Sequence, residues 1–247
     1  MDRLIAYIIA NQELHLRWLN TLSYLENCGA RKIAACEHPT QVSEMMLKHA
    51  AEEFRHSYIL KKQMTRLGES LPTYERQFLL GGWQTVHYLN KLDLHINRYL
   101  KHQKIERDLT YMLVTYAIEK RAEQLYPLYE THLRKGNSPI SVKSILLEEE
   151  AHLREIEEEL SLYQVGNALN NVCALEQKIY REWTESILSN IVKLDEQNYP
   201  NLSFATYLYS TSKECTSPRG SGVCNCSDNF SSSKSLASLD PQSRVQA

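Results

Sequence analysis

Apolar residues recur at three- and four-residue spacing along most of this chain, the interval that places side chains on one face of a helix. Leu16, Leu19, Leu22, Glu26, Ala30 and Ile33 form one such stripe, which predicts a single long helix over 3–36. "CEHPTQVS" interrupts it: Pro39 disfavours helix at His38, and Thr40 or Ser43 can cap the next helix. That second helix runs to about Leu67, with Met46, Ala50, Glu53, Ser57, Leu60 and Met64 in register, and stops at Gly68. A connector over 69–82 contains Pro72 and Gly81-Gly82, and a third helix over 83–103 carries Trp83, His87, Leu94 and Tyr99. The fourth, over 106–134, aligns Met112, Tyr116, Glu119, Ala122 or Glu123, and Tyr126, with Pro127 predicting a kink or break. Ser138-Pro139 reads as the cap and first turn of a fifth helix over 139–163, on which Val142, Ile145, Glu149, His152 and Ile156 share a face. A sixth covers 168–195 with Val172, Ile179, Trp183, Ile187 and Ile191; from about 203 the chain is rich in Ser, Gly and Asn, a composition expected to be disordered.

The pattern therefore predicts an all-α protein: a helical domain over 1–165 with a long crossover helix, an added C-terminal helix over 166–200, and a Ser-rich tail over 201–247. The 247 residues suffice for a sizeable core, and a net charge of −2 argues against a polyanion-binding surface spread over the whole molecule. No signal-peptide pattern and no run of about 18 apolar residues is seen, so no membrane contact and a cytoplasmic location are expected. Cys28, Cys36 and Cys173 lie in helical sequence and read as free thiols. Cys215, Cys224 and Cys226 in the tail lack paired CxxC knuckles, so they do not read as a metal ribbon.

Two of the helical stripes contain something that a core stripe should not. "EEFRH" places Glu53 and His56 three apart on the second helix, and "EEAHLRE" places Glu149 and His152 three apart on the fifth. About a tenth of the residues are Glu and nine are His, so a single Glu-x-x-His is expected by chance. Placement distinguishes these two, because both pairs lie on the apolar face, where an unpaired carboxylate costs several kcal/mol. Each also has a glutamate on the preceding helix: Glu26 lies 27 residues before Glu53, and Glu119 lies 30 before Glu149. Antiparallel helices bring residues equidistant from their loop to one height. Glu26 satisfies this for Glu53; for Glu149, Glu123 is slightly better centred, whereas Glu119 aligns with Glu26 across the repeat ("YLE", "AIE").

Four carboxylates and two imidazoles suit a pair of divalent cations of the iron or manganese kind, whose charge balances that of the carboxylates. The competing reading is a bundle whose inward Glu and His satisfy one another by hydrogen bonds. His49, Tyr116 and Tyr126 stand within reach of the ligand set as supporting residues, with surface placement (His49) or packing (the tyrosines) as the alternative.

The arrangement Glu26, Glu53/His56, Glu119, Glu149/His152 over residues 1–163 resembles the ferritin-like di-iron carboxylate superfamily. "IEKR" at 118–121 is also similar to the third-helix motif of the di-iron tRNA hydroxylases. The resemblance implies a ferritin-like four-helix bundle holding two iron ions (or Mn, or a mixed pair), with O2 or peroxide as co-substrate. It also implies an external electron donor, since no rubredoxin-like knuckle is present, and leaves room for an organic substrate, a tRNA partner and an oligomer. The long crossover departs from storage ferritins and favours an oxygen-activating hydroxylase or oxygenase. The alternatives are ferroxidase or peroxide handling of the rubrerythrin kind, and a non-enzymatic helical interaction protein.

Overall fold

The computed structural model describes residues 1–38, 40–41, 43–105 and 107–198. Those residues form an all-helical structure: α1 (Asp2–Ala10), α2 (Gln12–Cys36), α3 (Glu44–Met64), α4 (Trp83–His102), α5 (Arg107–Lys135), α6 (Lys143–Leu160) and α7 (Ala168–Asn198). α2 packs along α3, α5 along α6 and α4 along α7, and α3 also touches α6. One apolar core runs through the assembly, centred on large buried side chains such as Trp18, Trp183 and Tyr129. The Ser-rich tail, including Cys215, Cys224 and Cys226, lies outside the described residues. No helix among the described residues is long and apolar enough to cross a membrane.

The single helix expected over 3–36 is two helices. Asn11 adopts an extended backbone, and its side chain accepts from the Leu14 amide, capping α2. An apolar period of 3.6 continues across such a break, which is why periodicity misses it. Pro127 does not break α5, which runs through it for 29 residues. The lost amide costs about 3 kcal/mol in isolation, and α5 offsets this by packing on α1, α4, α6 and α7.

α6 starts at Lys143, not at Pro139. Residues 136–142 double back along α5, where the Glu130 carboxylate accepts from the Val142 amide at 2.8 Å and from the Ser141 hydroxyl at 3.1 Å. A side chain from another helix thus does the capping that local sequence had assigned to Ser138. On α4 the buried face is Thr85, Tyr88, Leu89, Leu92, Ile96 and Leu100. Trp83 and Leu94 are more than half exposed, so a large apolar residue that reads as core lies outside; the Trp83 ring stacks on His87 and carries the Arg76 guanidinium 4.7 Å from its centre. The start of α4 is tied to α7 through Gly81, whose carbonyl accepts from Ser186 and whose φ is +82°. A Cβ there would stand 2.7 Å from Thr85 Oγ1, so only glycine fits.

Candidate metal centre

Glu26 on α2, Glu53 and His56 on α3, Glu119 on α5, and Glu149 and His152 on α6 converge between the two helix pairs. They fall into two quartets: Glu26, Glu53, His56 and Glu149 form one, and Glu53, Glu119, Glu149 and His152 the other. Within each quartet the donor atoms lie within 4.8 Å of one another, and Glu53 and Glu149 belong to both. Five of the six are buried, His56 completely.

Glu119, not Glu123, completes the second quartet. Glu123 turns to the flank of α5, where it pairs with Lys120 at 2.7 Å. Counting from the loop midpoint favoured Glu123 because it assumed a symmetric turn, whereas residues 136–142 fold back along α5 as far as Glu130.

Both histidines aim Nδ1 at the carboxylates. His56 Nδ1 lies 2.9 Å from Glu149 Oε1, 3.8 Å from Glu53 and 3.9 Å from Glu26. His152 Nδ1 lies 3.7 Å from Glu53 and 3.8 Å from both Glu119 and Glu149. Yet His56 Nδ1, His152 Nδ1, Glu119 Oε2 and Glu149 Oε1 have no hydrogen-bond partner, although all are buried. Burying an unsatisfied polar atom costs about 1–3 kcal/mol, and four around one small volume argue that these lone pairs point at a common third party. A divalent cation in each quartet meets that requirement, and the donor set of four carboxylates and two imidazoles fits iron or manganese.

The opposite edge of each ring is held by a carboxylate from the other helix pair. His56 Nε2 donates to Glu148 at 2.8 Å, and His152 Nε2 donates to Glu52 at 2.7 Å. A proton kept on Nε2 leaves the Nδ1 lone pair free for the interior, the usual carboxylate–histidine–metal relation. Arg55 pairs with Glu148 and lies 3.8 Å from Glu52. Glu52 and Glu148 lie off the apolar stripes, so the helical period alone does not point to them. The signal was present: "EEFRH" and "EEEAH" share a second glutamate immediately before the ligand glutamate, four residues before the histidine.

Of the supporting residues proposed from sequence, Tyr126 donates to Glu26 Oε1. His49 is buried at 2 % exposure, not on the surface: its ring centre is 4.4 Å from that of His152 and its Nε2 lies 3.0 Å from Glu155. Tyr116 packs in the core and makes no contact with the carboxylates. Tyr111 was overlooked: its hydroxyl is buried without a partner, and burial, with Cys36, Glu119 and Glu53 nearby, pushes it up to about 12.

Without a cation the cluster shares protons among its own groups, and His56 carries one beside Glu149. Burial, and then Glu53, hold the Glu26 carboxyl well above its ordinary range; burial, and then Glu149, do the same to Glu119. Burial opposes a charge on His56, but contacts with Glu149 and Glu53 and the charge of Glu26 push it up to about 12. Against burial, contacts with Glu119, His152 and His56 hold Glu149 well below its ordinary range, so without a cation Glu26 and Glu119 are the carboxyls pushed toward protonation.

A cavity of about 140 Å3 opens on the carboxylates. Its walls are apolar, with Leu22, Leu25 and Ile33 of α2 and Val114, Ile118 and Leu125 of α5, and Tyr111 is the hydroxyl among them that lacks a partner. α4 and α7 add Leu89, Tyr88, Tyr180 and Trp183, and the exposed Cys36 and the Lys32–Asp93 ion pair lie at its outer end. Tyr88 and Arg121 meet on buried Glu176, Tyr88 at 2.9 Å and Arg121 through two bonds of 2.9 and 2.6 Å, which fixes α4, α5 and α7 around the cavity.

Comparison of the chain with protein-family models, curated proteins and solved structures finds no match in any of the three.

Proposed function

We propose that this protein is an oxygen-activating di-iron oxidoreductase that oxidises the apolar part of an organic molecule. The observation that carries the reading is the pair of quartets sharing Glu53 and Glu149, with four buried donor atoms lacking any partner. The order Glu, Glu-x-x-His, Glu, Glu-x-x-His on four inward-facing helices is that of ferritin-like di-iron carboxylate bundles.

Glu53 and Glu149, common to both quartets, would serve both ions, while Glu26 with His56 and Glu119 with His152 would each help hold one. Glu148 and Glu52 hold the tautomer and orientation of the two rings, and Tyr126 fixes the Glu26 carboxylate. Two iron ions supply the redox chemistry: one oxygen atom of O2 enters a C–H bond and the other leaves as water, with two electrons and two protons from an external donor. The apolar walls keep water from the carboxylates and leave the Tyr111 hydroxyl free to donate to a substrate. The cavity approaches the roughly 150 Å3 of one known to admit benzene, so it suits the apolar end of a larger molecule. That cavity favours a substrate oxidase over oxidation of ferrous iron or consumption of peroxide alone.

Metal analysis of protein purified under iron-replete conditions tests the centre. About two iron or manganese ions per chain are expected, with strong loss in Glu53→Ala and His152→Ala. Less than about one per chain, unchanged in both variants, would sink the metal reading. Reductant-dependent uptake of O2 by the loaded protein tests the oxidase reading separately.

A further inference from the structure

We infer that α3 has a second role on its solvent side: this face docks antiparallel onto the same face of a second copy of the chain. None of the residues involved belongs to the metal centre. Opposite the buried Glu53 and His56, α3 presents Leu47, Ala51, Phe54 and Tyr58 to solvent, at spacings of four, three and four residues. Leu47 is 50 % exposed, Phe54 44 % and Tyr58 62 %. At 100° per residue the four fall within about 60° of arc, a continuous apolar seam where a solvated face should be polar. The 4-3-4 spacing is the alternation of a two-helix seam.

Charge at the two ends decides the orientation. Glu44 before the seam and Lys62 after it are both exposed, and neither has an ion-pair partner among the described residues. Both lie on the same flank, each about 60° from Leu47. In a parallel pair the two-fold carries that flank to the opposite side of the seam, so Glu44 and Lys62 of one chain meet neither charge of the other. In an antiparallel pair with its two-fold axis between residues 52 and 53, Leu47 meets the partner's Tyr58 and Ala51 meets the partner's Phe54, small against large. Glu44 then comes level with the partner's Lys62 to within one residue's rise of about 1.5 Å. Of the other cations beside the seam, Lys48 and Arg55 already pair with Glu155 and Glu148 of their own chain, and Lys61 turns to Asn20 and the Leu71 carbonyl.

Light scattering after size exclusion of the full chain at micromolar concentration should give the mass of two chains. Phe54→Lys, with unchanged helical circular dichroism, should give the mass of one. Leu47→Cys combined with Tyr58→Cys should form an inter-chain disulfide, located by mass spectrometry of the 47–58 linkage; within one chain these positions are about 16 Å apart, too far to bridge. Glu44→Lys should weaken the dimer several-fold, and adding Lys62→Glu should restore it. A wild-type monomer would assign the seam to a different protein and overturn the proposal. So would a dimer untouched by Phe54→Lys, and cross-linking by Leu47→Cys alone would overturn the antiparallel register.

Discussion

Glu52 and Glu148 touch neither the cavity nor the carboxylate cluster, yet they set which nitrogen each histidine turns inward. Glu52→Gln and Glu148→Gln should keep the fold and weaken metal retention about 10–100-fold, the usual cost of losing such a partner; competition against a chelator of known affinity measures it. His15 shows the opposite use of a buried imidazole. Its ring bonds Tyr129 at 2.7 Å, and burial lowers its pKa from 6.5 to about 4. The folded protein holds it neutral, so unfolding between those values takes up a proton. The stability it contributes is present above pH 6.5 and declines as pH falls toward about 4, by about 3 kcal/mol in all at 1.36 kcal/mol per unit. Urea midpoints measured across that window should fall with pH in the wild type and lose that component in His15→Gln.

Within an element, the best-placed test is Gly29, in the interior of α2 one turn after Glu26. A Cβ there would meet only Glu53 Oε2, at an ordinary 3.8 Å. Gly29→Ala should therefore stabilise the protein by about 0.5–1 kcal/mol through helix propensity, read as a higher thermal midpoint. Because Gly29 also lines the cavity, a bulkier Gly29→Leu should fill it, cutting oxidation of an organic substrate while sparing metal content. The start of α6 behaves differently, since its cap comes from α5. Glu130→Ala should cost about 1–2 kcal/mol, and hydrogen exchange should show early loss of protection at Val142 and the first turn of α6.

For the molecule as a whole, the candidate centre is where four helices either attract or repel one another. With cations bound it joins α2, α3, α5 and α6; without them it gathers four carboxylates, of which burial and mutual repulsion force Glu26 and Glu119 toward protonation. Chelation should lower the thermal midpoint. Glu119→Gln should then act with opposite signs, weakening metal binding while raising the stability of the metal-free protein by about 1–3 kcal/mol, because a neutral amide avoids the cost of charge in that volume. Denaturation of both proteins with and without chelator separates the two effects. If Glu119 were instead one member of a self-satisfied hydrogen-bonded core, the substitution would destabilise the metal-free protein as well.

The helical class and the six converging side chains were legible in the sequence because both depend on a local period: Glu26, Glu53, His56, Glu119, Glu149 and His152 each sit where an apolar stripe predicts an inward position. That period carries no information on what lies across the gap. The choice of Glu119 over Glu123 turned on how residues 136–142 fold back on Glu130, and the roles of Glu52 and Glu148 on histidines supplied by the opposite helix pair. Trp83 reads as core because it is large and apolar, and lies outside because the buried face of α4 is set by α7, α5 and α2. On α2, α3, α5 and α6 the local pattern indicates which side is buried; packing between distant helices decides what that side meets, because those contacts join residues about a hundred positions apart.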